Sequence, residues 1–187
     1  MSLHEHEAEK YEKTWSIPEY HDFSHGEFHA DLFMEITGAS KGETVIDLGC
    51  GTGRGGKALK KRGLKPAYLD LANYNKNRPF IEQPLWMPID GKWDYGLCCD
   101  VMEHLPQEYT MLAIHNMLEA CDGLFLSICF DDEGFGQIVG EPLHLTVKPF
   151  TWWRDCLREI GTLEEARDFS PSSRQRDLAV GIFYLTG

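Results

Sequence analysis

Two spacings of apolar residues divide the chain into strand-like and helix-like segments. Short apolar runs are typical of strands, and apolar residues three or four positions apart are typical of helices. The predicted strands are Thr44 to Leu48, Pro66 to Asp70, Phe80 to Gln83, Tyr95 to Cys99, Leu124 to Phe130, Thr162 to Ala166 and Leu178 to Thr186. Because the first five alternate with helical segments, they predict a mostly parallel sheet covered on both faces.

Local signals mark the ends of the predicted helices. Ser24 to Glu27 has the pattern of a capping box, and it precedes an apolar stripe of Phe28, Leu32 and Ile36 that ends at Gly38. Further helices are expected after the glycine-rich segment, from Pro106, and from Thr151 to Gly161. No helix is predicted between the last two strands, so we expect them to form an antiparallel hairpin at one edge of the sheet.

Composition indicates one globular domain with an acidic surface. The 187 residues are 42% hydrophobic and 26% charged, and 30 acidic residues outnumber 18 Lys plus Arg, for a net charge of -12. That charge disfavours binding to phosphate backbones, so no DNA partner is expected and an RNA partner is disfavoured. Six cysteines without a C-x-x-C pair, and the lack of a signal-peptide or membrane-spanning pattern, predict a cytoplasmic protein with reduced thiols and no membrane partner.

A glycine-rich segment, Val45 to Gly53, follows the first strand and is the strongest candidate for a ligand site. Glycines at alternate positions let the backbone approach a ligand closely, and this segment lies at the carboxyl end of the sheet, where open α/β sheets bind ligands. Gly51, Gly53 and Gly56 also fit the G-x-G-x-x-G pattern of dinucleotide-binding proteins. However, the carboxylate of Asp47 would repel a nearby pyrophosphate, whereas it could accept a hydrogen bond from an amino-bearing ligand.

The segment from Asp47 to Gly53 resembles motif I of class I S-adenosylmethionine (SAM)-dependent methyltransferases, whose pattern is hydrophobic-x-Asp-x-Gly-x-Gly-x-Gly. Tyr68 to Asp70 resembles the end of that family's second strand, and Trp93 to Pro106 its fourth strand with the loop after it. The resemblance is to type 11/12-like small-molecule methyltransferases and covers about Phe28 to Gly187. It implies an α/β, Rossmann-like, doubly wound, mostly parallel seven-stranded sheet with a C-terminal antiparallel hairpin.

The resemblance also implies a domain organisation and a cofactor, SAM. Residues 24–187 would form the methyltransferase domain, and residues 1–23 an acidic flap that closes over the cofactor with Tyr11, Trp15, Tyr20 and His21. Asp70 would accept the ribose hydroxyls, Asp47 would orient the loop and the methionine ammonium, and Trp86 would stack on adenine or pack in the core. The implied cofactor-binding residues are Asp47, Gly49, Cys50, Gly51, Gly53, Asp70, Leu71, Trp86 and Asp100.

A second group of polar residues is expected on the acceptor side of the sheet edge. Asp100-x-x-Glu103-His104 follows the fourth strand and His144 follows the fifth. In one interpretation, His104, His144 and Glu103 are the catalytic residues, with an imidazole that orients or deprotonates the acceptor. In the other, the group binds a divalent metal, because it resembles the metal site of small-RNA 3′-end 2′-O-methyltransferases. Asp100 stands where that pattern has Glu, so a metal is not favoured and no metal ligand is assigned.

The sequence therefore predicts a SAM-dependent methyltransferase that acts on a small molecule, with a hydroxyl oxygen of a saccharide or metabolite as the expected acceptor. DNA-methylating motifs are absent after the fourth strand, where the sequence is Asp100-Val101-Met102-Glu103. Three alternatives stay open: a metal-dependent RNA 2′-O-methyltransferase, a nicotinamide oxidoreductase and a non-catalytic SAM-binding partner protein. The sequence does not indicate an oligomeric state.

Overall fold

The computed structural model describes residues 2–21, 23–131, 135–169 and 179–187. Within them, seven strands form one sheet: β1 (Thr44–Leu48), β2 (Lys65–Asp70), β3 (Phe80–Glu82), β4 (Trp93–Cys99), β5 (Cys121–Cys129), β6 (Thr162–Asp168) and β7 (Val180–Thr186). The strand order is β3-β2-β1-β4-β5-β7-β6. The first five strands run parallel, and β7 lies antiparallel to both β5 and β6. The predicted sheet and its C-terminal antiparallel hairpin are confirmed.

Helices cover both faces of this sheet. The structure contains α1 (Leu3–Trp15), α2 (Pro18–His21), α3 (His25–Phe28), α4 (Ala30–Thr37), α5 (Arg54–Lys61), α6 (Gln107–Ala120), α7 (Gly136–Val139) and α8 (Phe150–Ile160), with a 3₁₀ turn at Met102–His104. Side chains of β1 show how the two layers divide: Val45 packs with α4 and α5, whereas Ile46 and Leu48 pack with α6 and α8. Burial on both faces explains why these strands are continuous apolar runs.

The first predicted helix is two helices in the structure. α3 ends at Phe28, and a turn at His29, with φ -86° and ψ 4°, separates it from α4. The turn rotates α4 so that Ala30 and Phe33 are fully buried, while Phe28 is 68% exposed. The predicted stripe was therefore wrong at its first position, because a 3.6-residue period does not continue through a break.

Other helix and strand boundaries also differ from the predicted ones. The Ser24 hydroxyl accepts the Glu27 amide, as a capping residue should, but the Glu27 carboxylate binds Arg54 at 2.6 Å. The last helix begins at Phe150, with Pro149 and not Thr151 at the capping position. Leu178, at the start of the last predicted strand, lies outside the described residues.

The N-terminal helix α1 packs across the carboxyl edge of the sheet. Its Lys10 ammonium and Glu7 carboxylate form a buried ion pair at 2.6 Å. Its last residue, Trp15, lies against Gly51 so closely that a Cβ on Gly51 would come within 2.2 Å of the indole. In the ranges that the structure describes, no helix combines the length and apolar character needed to cross a bilayer.

The contact between Gly51 and Trp15 predicts an unequal cost for two glycine substitutions. Gly38 and Gly51 both have a positive φ, +67° and +50°, but Gly38 has open space around it. Gly38→Ala should cost about 1–2 kcal/mol of unfolding free energy, the usual strain of this conformation. Gly51→Ala should cost more, because the methyl group also displaces the indole, and this excess should shrink when Trp15→Ala is added. Urea unfolding of the single and double variants measures both effects, and equal costs at the two glycines would contradict the packing of α1 described above.

Candidate functional site

Three glycines shape the turn between β1 and α5. Gly49, Gly51 and Gly53 have φ values of +69°, +50° and +73°, in the left-handed region that favours glycine. A Cβ on each would collide with a side chain from elsewhere in the chain, in turn Val101, Trp15 and Asn77. The turn is thus enclosed from three directions, and the glycines allow that close approach.

The carboxylate of Asp70 holds this turn against the end of β2. Its Oδ2 accepts a hydrogen bond from the Gly51 amide at 2.6 Å, and its Oδ1 accepts one from the Leu71 amide at 2.7 Å. Burial raises the pKa of Asp70 to about 6, although these two hydrogen bonds act in the opposite direction. A carboxylate offers about four acceptor positions, so two remain for a ligand.

Asp47 lies beneath the same turn and is only 5% exposed. Its Oδ2 accepts the Gly56 amide at 2.6 Å and thereby fixes the first turn of α5. A Cβ on Gly55 would lie 2.9 Å from Leu97 and one on Gly56 would lie 2.6 Å from the Tyr68 ring, and each would also lie 3.2 Å from this oxygen, so the start of α5 packs closely on its neighbours. Burial raises the pKa of Asp47 to about 7; the Gly56 hydrogen bond lowers it, and the nearby Asp70 raises it further.

Two adjoining clefts open at this edge of the sheet. The Asp70 cleft, of about 650 Å³, contains Asp70, Leu71 and Trp86 in its wall. The histidine cleft, of about 1030 Å³, has a wall that includes Asp47, Cys50, Gly51, His25 and His144. Five residues belong to both walls: Trp15, Tyr20, Gly49, Asp100 and His104. Both clefts are open to solvent, and these volumes include the solvent space at their mouths.

Except for Gly53, which borders neither cleft, the predicted cofactor residues divide between them. Trp86 lies in the wall of the Asp70 cleft, and its ring also packs on Tyr109 with the centroids 5.2 Å apart. Cys50 is buried, and burial raises the pKa of its thiol far above the ordinary value, so it is not a nucleophile. Among the residues predicted for the flap, Tyr11 lies in the wall of the Asp70 cleft, whereas the side chain of His21 is outside the described residues.

The second predicted group comes together in the structure. Asp100, Glu103, His104 and His144 each offer a ligand atom, and the four atoms all lie within 4.8 Å of one another. Asp100 has a φ of +59°, which is unusual for a residue other than glycine, and its amide donates to the Ser127 carbonyl at 2.8 Å. This strained backbone begins the loop that brings Glu103 and His104 towards His144.

Backbone carbonyls set the orientation of both imidazoles. The Nδ1 of His144 lies 2.6 Å from the Asp131 carbonyl, and the Nδ1 of His104 lies 3.2 Å from the Leu143 carbonyl. A carbonyl can only accept, so we assign the proton of each ring to Nδ1 and a lone pair to each Nε2. The hydroxyl of Tyr11, on α1, also binds the Nδ1 of His104 at 2.8 Å.

Glu103 and His104 each bury polar atoms in this group. Glu103 is fully buried; its Oε1 accepts the Cys129 amide at 2.6 Å, and its carboxyl group shares a hydrogen bond with Asp100 that raises the pKa of Glu103 and lowers that of Asp100. The Nε2 of His104, a residue that is 7% exposed, has no hydrogen-bond partner. Glu103 lies beneath the wall of the histidine cleft and not in it. The donor set fits a divalent cation, since two imidazole nitrogens and two carboxylates are ordinary metal ligands.

The ionisable side chains of this group alter one another's pKa. Burial raises the pKa of Glu103 well above its ordinary value, and the neighbouring Asp100 raises it further. Burial also acts to raise the pKa of Asp100, but the imidazoles of His25 and His104 outweigh it and hold that pKa below its usual range. Burial lowers the pKa of His104 to about 3. At neutral pH, His104 is therefore uncharged and Asp100 ionised.

Sequence reasoning missed several residues that complete the site. Asn77 packs against Gly53, and the carbonyl of Asp131 orients His144. Neither has a sequence signal, because Asn77 lies in a polar loop and a carbonyl is present in every residue. Gly55 gave no signal either, although a Cβ there would lie only 2.9 Å from the Leu97 side chain.

No family model matches the chain, and no curated protein matches its sequence. Solved structures do match. The 1,6-didemethyltoxoflavin-N1-methyltransferase of Burkholderia thailandensis has a TM-score of 0.72 at 13% identity. The match covers 100% of this chain and 90% of that enzyme. The [4+2]-cyclase SpnF has a TM-score of 0.66 at 15% identity, and the match covers 86% of this chain and 80% of SpnF.

The magnesium protoporphyrin IX methyltransferase of Synechocystis PCC 6803, with bound S-adenosylhomocysteine, has a TM-score of 0.64 at 20% identity and covers 95% of this chain and 93% of its own. At such identities the likeness establishes the fold. The chain has the Rossmann-like fold of class I SAM-dependent methyltransferases, as the sequence resemblance implied.

Asp47 predicts a distinct pH dependence of stability. Its pKa is about 7 in the folded chain and near 3.8 when unfolded, so between these values the folded state binds more protons than the unfolded state. The unfolding free energy should therefore fall as pH rises from about 4 to about 7, by at most about 1.4 kcal/mol per pH unit from this group. Asp47→Asn should reduce the slope, and urea unfolding at several pH values measures it.

Asp94→Asn is the matched control. Hydrogen bonds from Thr44 lower the pKa of Asp94, so this carboxylate stabilises the folded state above about pH 4. Its contribution to the unfolding free energy is lost only below that pH. The slope between pH 4 and pH 7 should stay at the wild-type value in this variant. An unchanged slope in Asp47→Asn would show that Asp47 ionises normally in the folded protein.

Proposed function

We propose that the chain is a SAM-dependent methyltransferase that transfers a methyl group to a hydroxyl oxygen of a small molecule. The observation that carries the proposal is the junction of the two clefts. The Asp70 cleft, bordered by a carboxylate and the glycine turn, opens at Gly49 and Asp100 into a second cleft bordered by imidazoles. Such a junction suits a reaction in which one ligand hands a group to another.

In this proposal, the cofactor extends along the glycine turn through both clefts. The remaining acceptor positions of Asp70 receive the ribose hydroxyls, and Leu71 and Trp86 border the adenine. The methionine part crosses Gly49, Cys50, Gly51 and Gly53, with Asp47 and Asp100 as the negative charges nearest to its ammonium. Carboxylates on this path favour a cationic ligand and disfavour a pyrophosphate.

The transfer itself requires alignment more than chemical assistance. The acceptor oxygen attacks the methyl carbon, the carbon–sulfur bond breaks towards sulfur, and the products are a methyl ether, S-adenosylhomocysteine and a proton. Because the sulfonium already activates the methyl group, the protein contributes chiefly by holding both reactants in line, an effect worth up to about 7–11 kcal/mol. The histidine cleft is the proposed place of the acceptor.

The acceptor proton needs a route out of the cleft. The low pKa of His104, about 3, makes it a weak base, so its Nε2 is better suited to accept a hydrogen bond. We assign His144 as the base that takes up this proton. A divalent cation, if held by Asp100, Glu103, His104 and His144, would instead lower the pKa of an acceptor hydroxyl bound to it. Glu103 lies too deep to touch an acceptor, so we assign it a positioning role.

We further propose that residues 1–23 act as the lid of this site. Trp15 and Tyr20 belong to both cleft walls, and their rings pack edge to face with centroids 5.1 Å apart. A SAM molecule that crosses Gly51 needs the space beside Trp15, so α1 has to shift outward when the cofactor binds. Closure over bound cofactor excludes water from the methyl transfer.

A non-catalytic or differently catalytic SAM-binding protein is the second candidate. The similarity to the [4+2]-cyclase SpnF favours it, since a protein of this fold is named for a reaction other than methyl transfer. The imidazoles in the histidine cleft favour catalysis, and only turnover with an acceptor separates the two candidates.

Binding of SAM is the first expected outcome. Isothermal titration calorimetry should show that SAM and S-adenosylhomocysteine bind one to one and that NADH does not. Asp70→Asn should weaken SAM by about 10- to 150-fold, because a hydrogen bond to a charged group contributes about 1.5–3 kcal/mol. Glu82→Gln is the control: Glu82 pairs in register with Asp70 on the next strand but is exposed and lies outside both cleft walls.

Tight NADH binding without SAM binding would overturn the proposal in favour of an oxidoreductase. Turnover is then measured as methyl transfer from radiolabelled SAM to a panel of hydroxylated small molecules and to RNA. The non-catalytic candidate would be supported if SAM bound but no methyl group were transferred to any acceptor. In that case, substitution of His104 or His144 should also leave the affinity for SAM unchanged.

A further inference from the structure

We propose that the methyl acceptor is an uncharged aromatic compound with a hydroxyl group on its ring, held in the histidine cleft against an aromatic cover. The aromatic cover consists of Tyr20, Phe23 and Phe135, whose side chains all border this cleft. The inference rests on the proposed function, and it narrows the acceptor from any hydroxylated small molecule to one chemical class.

The aromatic cover is built from two distant parts of the chain. Tyr20 lies on α2 and Phe23 follows that helix, whereas Phe135 lies beyond β5, just before α7. The rings of Tyr20 and Phe135 meet edge to face, with centroids 5.5 Å apart and an interplanar angle of 82°. Two rings at nearly right angles offer a flat guest one face to stack on and one edge to meet, and both arrangements are favoured between aromatic rings.

Phe23 gives the mouth of the cleft an apolar surface. It is 53% exposed, and its ring lies near Phe28, which is 68% exposed, with the centroids 5.8 Å apart. Large apolar side chains that are exposed together commonly mark a binding surface. Phe23 also meets the imidazole of His25 edge to face at 4.8 Å, and the Nε2 of His25 lies 3.5 Å from the Asp100 carboxylate. The wall thus passes from apolar to polar within two contacts, as an aromatic alcohol does between its ring and its hydroxyl.

Charge disfavours an acidic acceptor in this cleft. The wall contains the carboxylates of Asp47 and Asp100, and among its described residues there is no Lys or Arg. A phosphate or carboxylate group on the acceptor would therefore meet like charge without a cation to offset it. Nucleotides, sugar phosphates and aromatic acids fit this wall less well than a neutral compound.

A saccharide fits the aromatic cover less well than a phenol. Its ring can stack on an aromatic side chain, but its hydroxyl groups surround the ring, and each one costs free energy if it leaves water without a new partner. In the aromatic cover, only Tyr20 carries a polar group. A phenolic hydroxyl also has a pKa of about 10, against about 16 for water, so it ionises about 10⁶-fold more readily. Transfer to it forms an aryl methyl ether and releases S-adenosylhomocysteine and the phenolic proton.

Two matched pairs of probes test the inference: phenol with cyclohexanol, and 2-naphthol with decahydro-2-naphthol. Within each pair, the carbon skeleton and the hydroxyl are the same and only the aromatic character is lost. Affinity for the full chain saturated with S-adenosylhomocysteine is measured by ligand-observed NMR. The aromatic member of each pair should bind at least about 2-fold more tightly, the smallest gain typical of an aromatic contact. Methyl β-D-glucoside, a saccharide, and 2-naphthoate, an anion, should bind more weakly than 2-naphthol.

Two variants and one matched control locate the bound ring. Phe23→Leu and Phe135→Leu keep an apolar side chain but remove the ring, and each should weaken 2-naphthol by about 2- to 10-fold. Neither residue borders the Asp70 cleft, so the affinity for S-adenosylhomocysteine should stay at the wild-type value. Phe169→Leu, the same substitution at a phenylalanine that is 51% exposed and outside both cleft walls, should bind 2-naphthol like the wild type.

Equal affinity within the pairs, tighter binding of the glucoside than of 2-naphthol, or an unchanged affinity for 2-naphthol in either variant would overturn the inference. Thermal unfolding checks that each variant is folded. Methyl transfer from radiolabelled SAM to the same probes, and titrations without cofactor, keep the two proposals apart. A chain that methylates cyclohexanol or the glucoside but neither phenol nor 2-naphthol refutes only the aromatic class. A chain that prefers the aromatic probes but does not bind SAM refutes only the proposed function.

Discussion

Backbone amides of the glycine turn are bound by two buried carboxylates, and the rest of the site depends on this arrangement. Asp70 accepts the Gly51 amide from the side of β2, and Asp47 accepts the Gly56 amide from beneath. Burial raises the pKa of both carboxylates, and Asp70 raises that of Asp47 further, so a positive charge brought into the turn would favour the ionised form of each. The turn therefore does more than leave room for a ligand, because its fixed charges select which ligand it favours.

Much of the fold could be predicted because its signals are local. Each parallel strand is a continuous apolar run, and glycines with positive φ are concentrated after β1, so the sheet and the ligand edge follow from short segments. The break at His29 could not be predicted in this way. α3 packs Gly26 against Gly55 on α5 so closely that a Cβ on Gly26 would lie 3.1 Å from the Gly55 Cα. Such a contact joins segments far apart in sequence and has no periodic signal.

The candidate site was predictable to a smaller extent. The residues with distinctive side chains, such as Asp47, Asp70 and His144, were found, since their types and positions after strands indicate chemistry. What these side chains can do depends on atoms that sequence reasoning cannot identify. The tautomer of His144 is set by a carbonyl of Asp131, and the low pKa of His104 results from burial by α1 and the loop after β5. Backbone geometry and burial thus decide the roles that residue types only suggest.

Helix α1 connects the two halves of the site. Trp15 packs on Gly51 in the glycine turn, and four residues earlier the Tyr11 hydroxyl binds the Nδ1 of His104. Residues at this spacing lie on one face of a helix, so a single rigid element contacts both the turn and the imidazole. Any outward movement of α1 breaks both contacts together. Under the proposed lid movement, Tyr11 would leave His104 and water would reach the imidazole, which would raise its pKa from about 3 towards the ordinary value. Access to the glycine turn and the chemistry of the histidine cleft are therefore coupled through one helix.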